Sequence, residues 1–131
     1  MERERVSSGT EWESAVGYSR AVRAGDTIHV SGTTATDADG SVVAPGEPYA
    51  QTERAIENVA AALSRLDASI SDVVRTRLFV TDIGDWEAVG RAHAEAFGAV
   101  RPATSMVQVE RLIHPDLVVE VEATAKRPTD D

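Results

Sequence analysis

The chain has 131 residues and a formal net charge of −9 at pH 7, from 22 acidic and 13 basic side chains. This length fits one domain with a single core, and the acidic surface argues against general nucleic-acid binding because it repels a phosphate backbone. The absence of cysteine excludes disulfides, a thiolate nucleophile and cysteine-based zinc sites.

The first half of the chain predicts strands followed by a long helix. The stretch from Val22 to Gly32 combines a Gly25-Asp26 turn with alternating apolar and polar residues, as in a half-buried strand. From Tyr49 to Leu66 the apolar residues recur at helical spacing, and the preceding Pro48 suits a first helical turn. We expect this helix to pack its apolar side on a sheet.

The second half predicts a strand, a helix and two closing strands. Val73 to Thr81 is rich in β-branched residues that alternate with polar ones. Asp85 is placed to cap a helix over Trp86 to Phe97. The closing strands are expected at Thr104 to Glu110 and Leu117 to Thr124. This order predicts an α+β fold with two helices on one face of the sheet.

No targeting or membrane-spanning pattern occurs in the sequence. The N-terminal MERERVSSGTEWES is charged and lacks the apolar centre of a secretory signal, and no apolar run is long enough to cross a bilayer. We therefore expect a cytoplasmic protein without membrane contact. We also expect one domain over residues 1–131, with a core over about 14–125, a short N-terminal arm and a charged tail from Lys126 to Asp131.

Seven short segments, in this order and with similar intervals, resemble the signatures of one protein family. They are Gly17-Tyr18-Ser19-Arg20-Ala21-Val22, Val30-Ser31-Gly32, Tyr49-Ala-Gln51-Thr52, Asp72-Val73-Val74-Arg75-Thr76, Phe79-Val80-Thr81-Asp82, Arg101-Pro102-Ala103 and Val119-Glu120-Val121-Glu122-Ala123. The family is the Rid superfamily of reactive intermediate deaminases, also called YjgF-like proteins. The resemblance implies a chorismate-mutase-like α+β domain with a mixed sheet, and a homotrimer with a central barrel and ligand clefts between subunits.

The resemblance also implies an activity and several site residues. Rid deaminases hydrolyse enamine or imine intermediates that pyridoxal-phosphate enzymes release, and they need no cofactor. Glu120 is similar to the family carboxylate that orients or activates the attacking water. Tyr18, Ser31 and Gly32 match positions that line the family's cleft.

Thr104 departs from the family pattern at an important position. The family has an arginine there that pairs with the substrate carboxylate, through charge-assisted bonds of about 1.5–3 kcal/mol each, whereas a threonine hydroxyl offers about 1 kcal/mol. Standard amino-acid-derived substrates should therefore bind at least about tenfold worse. Two other departures are Gly90, where an asparagine is usual, and Met106, where a cysteine is frequent. We keep Thr104 and Met106 as substrate-binding candidates.

Two more side chains are candidates for the cleft. His93 lies on the apolar side of the second helix, where a core histidine is the commoner outcome, but it is one turn from Gly90. Arg101 precedes a proline at a strand entrance and can attract an anionic ligand, although a salt bridge is the more frequent role. The three histidines are scattered along the chain, so we expect no metal site.

Glu120 and Glu122 share one face of the last strand because side chains alternate with period two. Two such carboxylates often form a solvated face, but the resemblance favours a functional Glu120 and a structural Glu122.

Three functions from different classes follow from these observations. The first is an enzyme that adds water to an imine, an enamine or a related reactive metabolite, with Glu120 holding the water while Thr104 and Ser31 bond the substrate. The second is a non-catalytic binder of small metabolites, since the arginine is lost and the cleft is kept. The third is a ribonuclease or translation inhibitor, an activity reported within the family, but its basic footprint is missing.

Overall fold

The chain forms a six-stranded sheet with helices packed against it, as a computed structural model that describes residues 2–129 shows. The strands are β1 Arg3–Val6, β2 Ala21–Ala24, β3 Thr27–Thr33, β4 Val73–Val80, β5 Ala103–Gln108 and β6 Val119–Lys126. The helices are α1 Glu11–Val16, α2 Pro48–Ser64 and α3 Trp86–Phe97, and short 3₁₀ turns lie at Ile70–Asp72 and Ile83–Asp85.

The strands follow the order β1-β2-β3-β6-β4-β5 across the sheet. All neighbours are antiparallel except β4 and β5, which run parallel because α3 connects them. The predicted α+β class and the mixed sheet are thus confirmed. Within residues 2–129, no helix is long and apolar enough to span a bilayer.

Several predicted boundaries need correction. The first long helix begins at Pro48 and ends at Ser64, before Leu66, because Asp67 adopts a left-handed conformation that ends the turn. The first closing strand ends at Gln108, where its pairing with β4 stops. The second closing strand starts two residues late, at Val119, and continues to Lys126.

Other differences concern caps and the N-terminal arm. Asp85 stands at the start of α3 but makes no side-chain cap, and Asp82 instead accepts a hydrogen bond from the Gly84 N–H one turn earlier. The N-terminal arm carries β1 and α1, for which the sequence analysis made no prediction. Strand β1 is held by pairing with β2, and Glu13 of α1 is buried.

Alternation along β6 separates the two faces of the sheet. Val119, Val121 and Ala123 are buried under the helices, and they join the core that α2 closes with Val59 and Leu63. The alternate residues of β6 lie on the other face, away from α2 and α3, which we call the open face. The carboxyl groups of Glu120 and Glu122 are therefore presented on the open face.

Gln51 connects the helix layer to the start of β6. Its side chain is fully buried, with Nε2 donating to the carbonyls of Ala44 (3.1 Å) and Asp116 (2.8 Å). Its Oε1 accepts from the Val118 N–H at 2.9 Å. These bonds fix the loop that leads into β6 and thereby the position of Glu120, two residues further on.

We predict that Gln51→Leu lowers the free energy of unfolding by roughly 2–4 kcal/mol, because it leaves buried backbone groups without partners. Chemical denaturation at fixed protein concentration measures the change. Gln108→Leu is the matched control, since Gln108 is exposed and its side chain accepts one bond, from the Ile83 N–H. The control should lose less than about 1 kcal/mol. Equal losses in both variants would contradict the assigned role of Gln51.

Candidate functional site

A cleft of about 660 Å³ opens where the N-terminal arm meets the strands β3 and β6. This volume suits a small molecule. The arm and α1 form one wall, and the loops around residues 34–42 and 113–117 form the others. The cleft is lined by Ser8, Gly9, Thr10, Glu11, Trp12, Val16, Tyr18, Arg20, Gly32, Thr34, Thr36, Ala38, Asp39, Gly40, Val42, Ile113, His114, Leu117 and Glu120.

Gly32 makes room for Glu120 in this cleft. The register between β3 and β6 shifts between Val30 and Thr33, so Gly32 lies within an irregular part of the ladder. A Cβ atom on residue 32 would lie 2.5 Å from Glu120 Oε2. A glycine is therefore needed for the carboxyl group to lie against β3 as it does.

The surroundings of Glu120 disfavour its charged form. Burial raises the pKa of Glu120, the nearby Glu122 raises it further, and Arg20 partly opposes both. The net result is a pKa above the ordinary value of 4.5. A half-buried carboxyl group in a cleft, with its pKa moved toward neutrality, is suited to accept and return a proton.

Arg20 also lines the cleft, although it was not among the residues predicted from the sequence. Its Nη2 donates to the Gly32 carbonyl at 2.7 Å, and its guanidinium lies 5.8 Å from the centre of the Tyr18 ring. The Arg20 Nε is buried and has no hydrogen-bond partner within residues 2–129. The sequence shows only an arginine before a strand, and nothing in that pattern indicates a position beside Glu120.

Thr104 and His93 meet in a second group of polar side chains. Thr76 is buried, and its Oγ1 lies 2.7 Å from Thr104 Oγ1 and 2.9 Å from His93 Nε2. The His93 ring packs against Phe97 with 4.6 Å between ring centres, and burial lowers the pKa of His93. This group is accordingly uncharged near neutral pH.

The two groups lie on opposite faces of the sheet. Thr104 pairs with Thr76 across β4 and β5, while Glu120 pairs with Phe79 across β4 and β6. Thr76 and Phe79 are three residues apart on one strand, so their side chains point to opposite sides. One chain therefore brings Glu120 together with Tyr18, Gly32 and Arg20, but not with Thr104 and His93.

The remaining candidates take other places. Ser31 donates its hydroxyl to the Ser19 carbonyl at 2.7 Å, and Met106 packs against the core. Arg101 is exposed, has a left-handed backbone with φ of 55°, and makes no ion pair with any residue in 2–129. Glu122 pairs with Arg77 at 2.9 Å, in agreement with a structural role. No group of three potential metal ligands occurs in the part of the chain that the structure describes.

Comparison with known proteins settles the family. The endoribonuclease L-PSP family matches residues 9–127. This chain belongs to the Rid, or YjgF-like, superfamily. A Streptomyces coelicolor protein is 42% identical over 94% of this chain and 91% of its own length. The 3-aminoacrylate deaminase RutC of Acinetobacter baylyi is 34% identical over 82% of this chain and 85% of its own.

Solved structures of this superfamily confirm the expected fold. The YjgF/YER057c/UK114 family member Rv2704 of Mycobacterium tuberculosis has a TM-score of 0.87 and 50% identity, covering 95% of this chain and 99% of that one. The YjgF gene product of E. coli has a TM-score of 0.77 and 32% identity, covering 84% of this chain and 87% of that one. The resemblance inferred from the seven segments is thus confirmed.

We predict that Glu120 titrates above the ordinary glutamate pKa of 4.5, because burial and Glu122 disfavour its charge. Carbon-detected NMR of the side-chain carboxyl measures this pKa. Glu122→Gln should lower the pKa of Glu120, since it removes the neighbouring negative charge, whereas Glu87→Gln changes an exposed glutamate on α3 and should have no effect. A Glu120 pKa at or below 4.5 would contradict the described environment.

The raised pKa has a consequence for stability. The folded state binds the Glu120 proton more tightly than the unfolded state does, so protonation of Glu120 adds to the free energy of unfolding. This stabilisation is fully present below the pKa of the unfolded state and is lost as pH rises through the pKa of the folded state. Glu120→Gln should therefore be at least as stable as the wild type at pH 7, with the difference shrinking toward about pH 4. Thermal melts over this pH range measure the effect.

Proposed function

We propose that this protein is a Rid-type hydrolase that converts the imine or enamine of a small metabolite to a carbonyl compound and ammonia. The observation that carries the proposal is the Glu120 carboxyl group, held against Gly32 in a cleft of suitable volume with its pKa raised. A relative of this chain is named a 3-aminoacrylate deaminase, which supports the same class of reaction. We also propose a cytoplasmic location, where such intermediates arise.

The proposed chemistry uses water and one carboxyl group. Glu120 accepts a proton from water as the oxygen adds to the carbon of the C=N bond, and it returns this proton to the nitrogen to give a carbinolamine. Glu120 then passes the hydroxyl proton of the carbinolamine to the nitrogen, so that the C=O bond forms as the C–N bond breaks and ammonia leaves. An enamine enters the same route after protonation on carbon gives the imine. Atoms balance, because one water is consumed and one ammonia is released.

The proposed assembly is a homotrimer with its sheets around a central barrel. The open face of the sheet lies away from α2 and α3, and its residues include Val107, which is 46% exposed, and the Arg77–Glu122 pair. Thr104 is exposed at the sheet edge and lies apart from Glu120 in the same chain. In the proposed trimer, Thr104 and His93 of one copy border the Glu120 cleft of its neighbour.

We expect sedimentation equilibrium to give a mass three times the 14.0 kDa of the chain, because a trimer would bury the open sheet face between its copies. A monomer at micromolar concentration would overturn the assembly and the shared cleft. A stable dimer would still bury the open sheet face but would exclude the proposed barrel of three sheets.

A binding protein without turnover is the second candidate function. It is favoured by Thr104, because the family resemblance implies a charged arginine at this position, and the Thr104 hydroxyl is already hydrogen-bonded to Thr76. A ribonuclease has less support, although the family is described as endoribonuclease L-PSP, because the net charge of −9 offers no basic footprint.

We predict that Glu120→Gln lowers turnover at least about a hundredfold, because a carboxylate that moves a proton contributes typically 10²–10⁴-fold to the rate. The assay follows ammonia release above the spontaneous rate, with 2-iminopropionate and 3-aminoacrylate as substrates. Glu122→Gln is the matched control and should lower turnover much less, because it removes one cause of the raised Glu120 pKa but leaves the Glu120 carboxyl group in place.

Two outcomes would redirect the proposal. If both variants keep full turnover, another group must activate the water, with His93 the next candidate. If the wild type shows no turnover and Glu120→Gln abolishes ligand binding, the protein is a binding protein without turnover. Glu120 then serves as a hydrogen-bond acceptor for the ligand.

A further inference from the structure

Arg20 is the only lysine or arginine among the residues that line the cleft. The other charged residues there are the acids Glu11, Asp39 and Glu120. A negatively charged ligand entering this cleft therefore has one cationic side chain available to it within the chain. The pattern matters because the family resemblance implies a carboxylate-binding arginine at position 104, where this chain has a threonine.

The hydrogen bonds of Arg20 leave most of its donors unused. A guanidinium has five N–H donors, and Arg20 uses one of them, from Nη2 to the Gly32 carbonyl. No carboxylate oxygen of residues 2–129 lies within 4.0 Å of it. Its Nε is also buried without a partner in this range, which is uncommon for a buried donor.

Arg23, three residues further along the chain, shows what a structural arginine looks like in this protein. It too lacks an acidic partner, but it donates to the carbonyls of Gly25 (3.1 Å), Leu66 (2.7 Å) and Arg127 (2.7 Å). The Arg23 side chain is buried, and its N–H groups thus bond backbone carbonyls of the fold. Arg20 differs because it makes one such bond and lies among the residues that line the cleft.

We propose that Arg20 binds the anionic end of the substrate, so that the cleft accepts small carboxylates although Thr104 is not an arginine. This inference rests on the proposed function for its reaction, and it deepens that function by naming the substrate class. Arg20 lies beside Gly32 and Tyr18, so a carboxylate bound to it leaves the neighbouring C=N carbon near Glu120. Guanidinium and carboxylate match through two parallel hydrogen bonds.

The same contact links binding to reactivity. Arg20 lowers the pKa of Glu120, in opposition to burial and to Glu122. A substrate carboxylate on Arg20 cancels part of that positive charge, so the pKa of Glu120 rises and the carboxylate becomes a stronger base. The anionic substrate itself therefore strengthens the group that takes the proton from water.

Binding of stable analogues tests the proposal without any need for turnover. Isothermal titration calorimetry would compare pyruvate and 2-oxobutyrate with the neutral pyruvamide, on the assembled wild-type protein and on Arg20→Gln. We expect Arg20→Gln to bind both acids at least about tenfold more weakly, because it loses a charge-assisted pair, and to bind pyruvamide unchanged. Glutamine keeps an N–H₂ group that can still donate to the Gly32 carbonyl, which protects the fold.

Two matched variants sharpen the comparison. Arg20→Lys keeps the charge but loses the fork of donors, so its affinity for the acids should lie between those of the wild type and Arg20→Gln. Arg91→Gln removes an arginine that also packs on a tyrosine ring, at 4.6 Å from the Tyr49 centre, but lies outside the cleft. It should bind all ligands as the wild type does.

Several results would overturn the proposal. The first is that the wild type binds neither pyruvate nor 2-oxobutyrate, and the second is that Arg20→Gln binds both acids as tightly as the wild type does. The third is that Arg20→Gln loses affinity for the acids and for pyruvamide equally, which would show that Arg20 has a structural role. Loss on Arg101→Gln instead would assign the anion to that exposed residue. Failure of the hydrolase is distinguishable, since it appears as absent ammonia release while the acids still bind through Arg20.

Discussion

The close approach of Glu120 to Gly32 is the contact on which the candidate site depends. The carboxyl group lies where a side chain on residue 32 would begin, and the ladder between β3 and β6 is irregular at that point. Removing a carboxylate from water is unfavourable unless other groups compensate. Here Glu122 adds to the cost and only Arg20 offsets it. The fold thus holds an acid in an unfavourable place, which is typical of a group kept for function rather than stability.

The contrast between Glu120 and Glu122 explains why neighbouring carboxylates on one strand face differ in role. Glu122 lies opposite Arg77 and forms an ion pair with it at 2.9 Å. Glu120 lies opposite Phe79, which offers no charge, and faces the cleft instead. The alternation of β6 puts both on the open face, but only Glu122 has a cationic residue opposite it on β4. One strand register therefore separates a structural ion pair from a candidate catalytic group.

The sequence predicted the regular core well and the N-terminal arm poorly. Helices α2 and α3 and strand β4 have clear periodicity, and each was placed within about two residues. Strand β1 has alternating charges with one buried residue, Val6, and α1 is too short to form from local preference. Both depend on contacts that no local pattern encodes: pairing with β2, and the buried Glu13 that accepts hydrogen bonds from Ser8 and Thr10.

The site was predictable only as far as the family resemblance reached. It predicted Tyr18, Ser31, Gly32 and Glu120 in one cleft; Tyr18, Gly32 and Glu120 line the same cavity, whereas Ser31 donates to the Ser19 carbonyl, and the functional roles of all four stay predictions. Which sheet face Thr104 occupies depends on the register of β4 with β5, which local periodicity does not give. Arg20 was not predicted because its neighbours, the cleft and the Gly32 carbonyl, are brought together only by the fold.

Thr104 belongs to a group of neutral polar side chains on the helix side of the sheet. On the helix side, Thr76 joins Thr104 to His93 in a chain of hydrogen bonds, and burial lowers the pKa of His93 so that the chain stays neutral. A single hydroxyl hydrogen on Thr76 can point to His93 or to Thr104, so this chain can present Thr104 as a donor or as an acceptor. The cationic Arg20 lies on the opposite face of the sheet, among the residues that line the cleft with Glu120. Within residues 2–129, the neutral hydrogen-bonded group and the charged groups of the cleft therefore border different faces of one sheet.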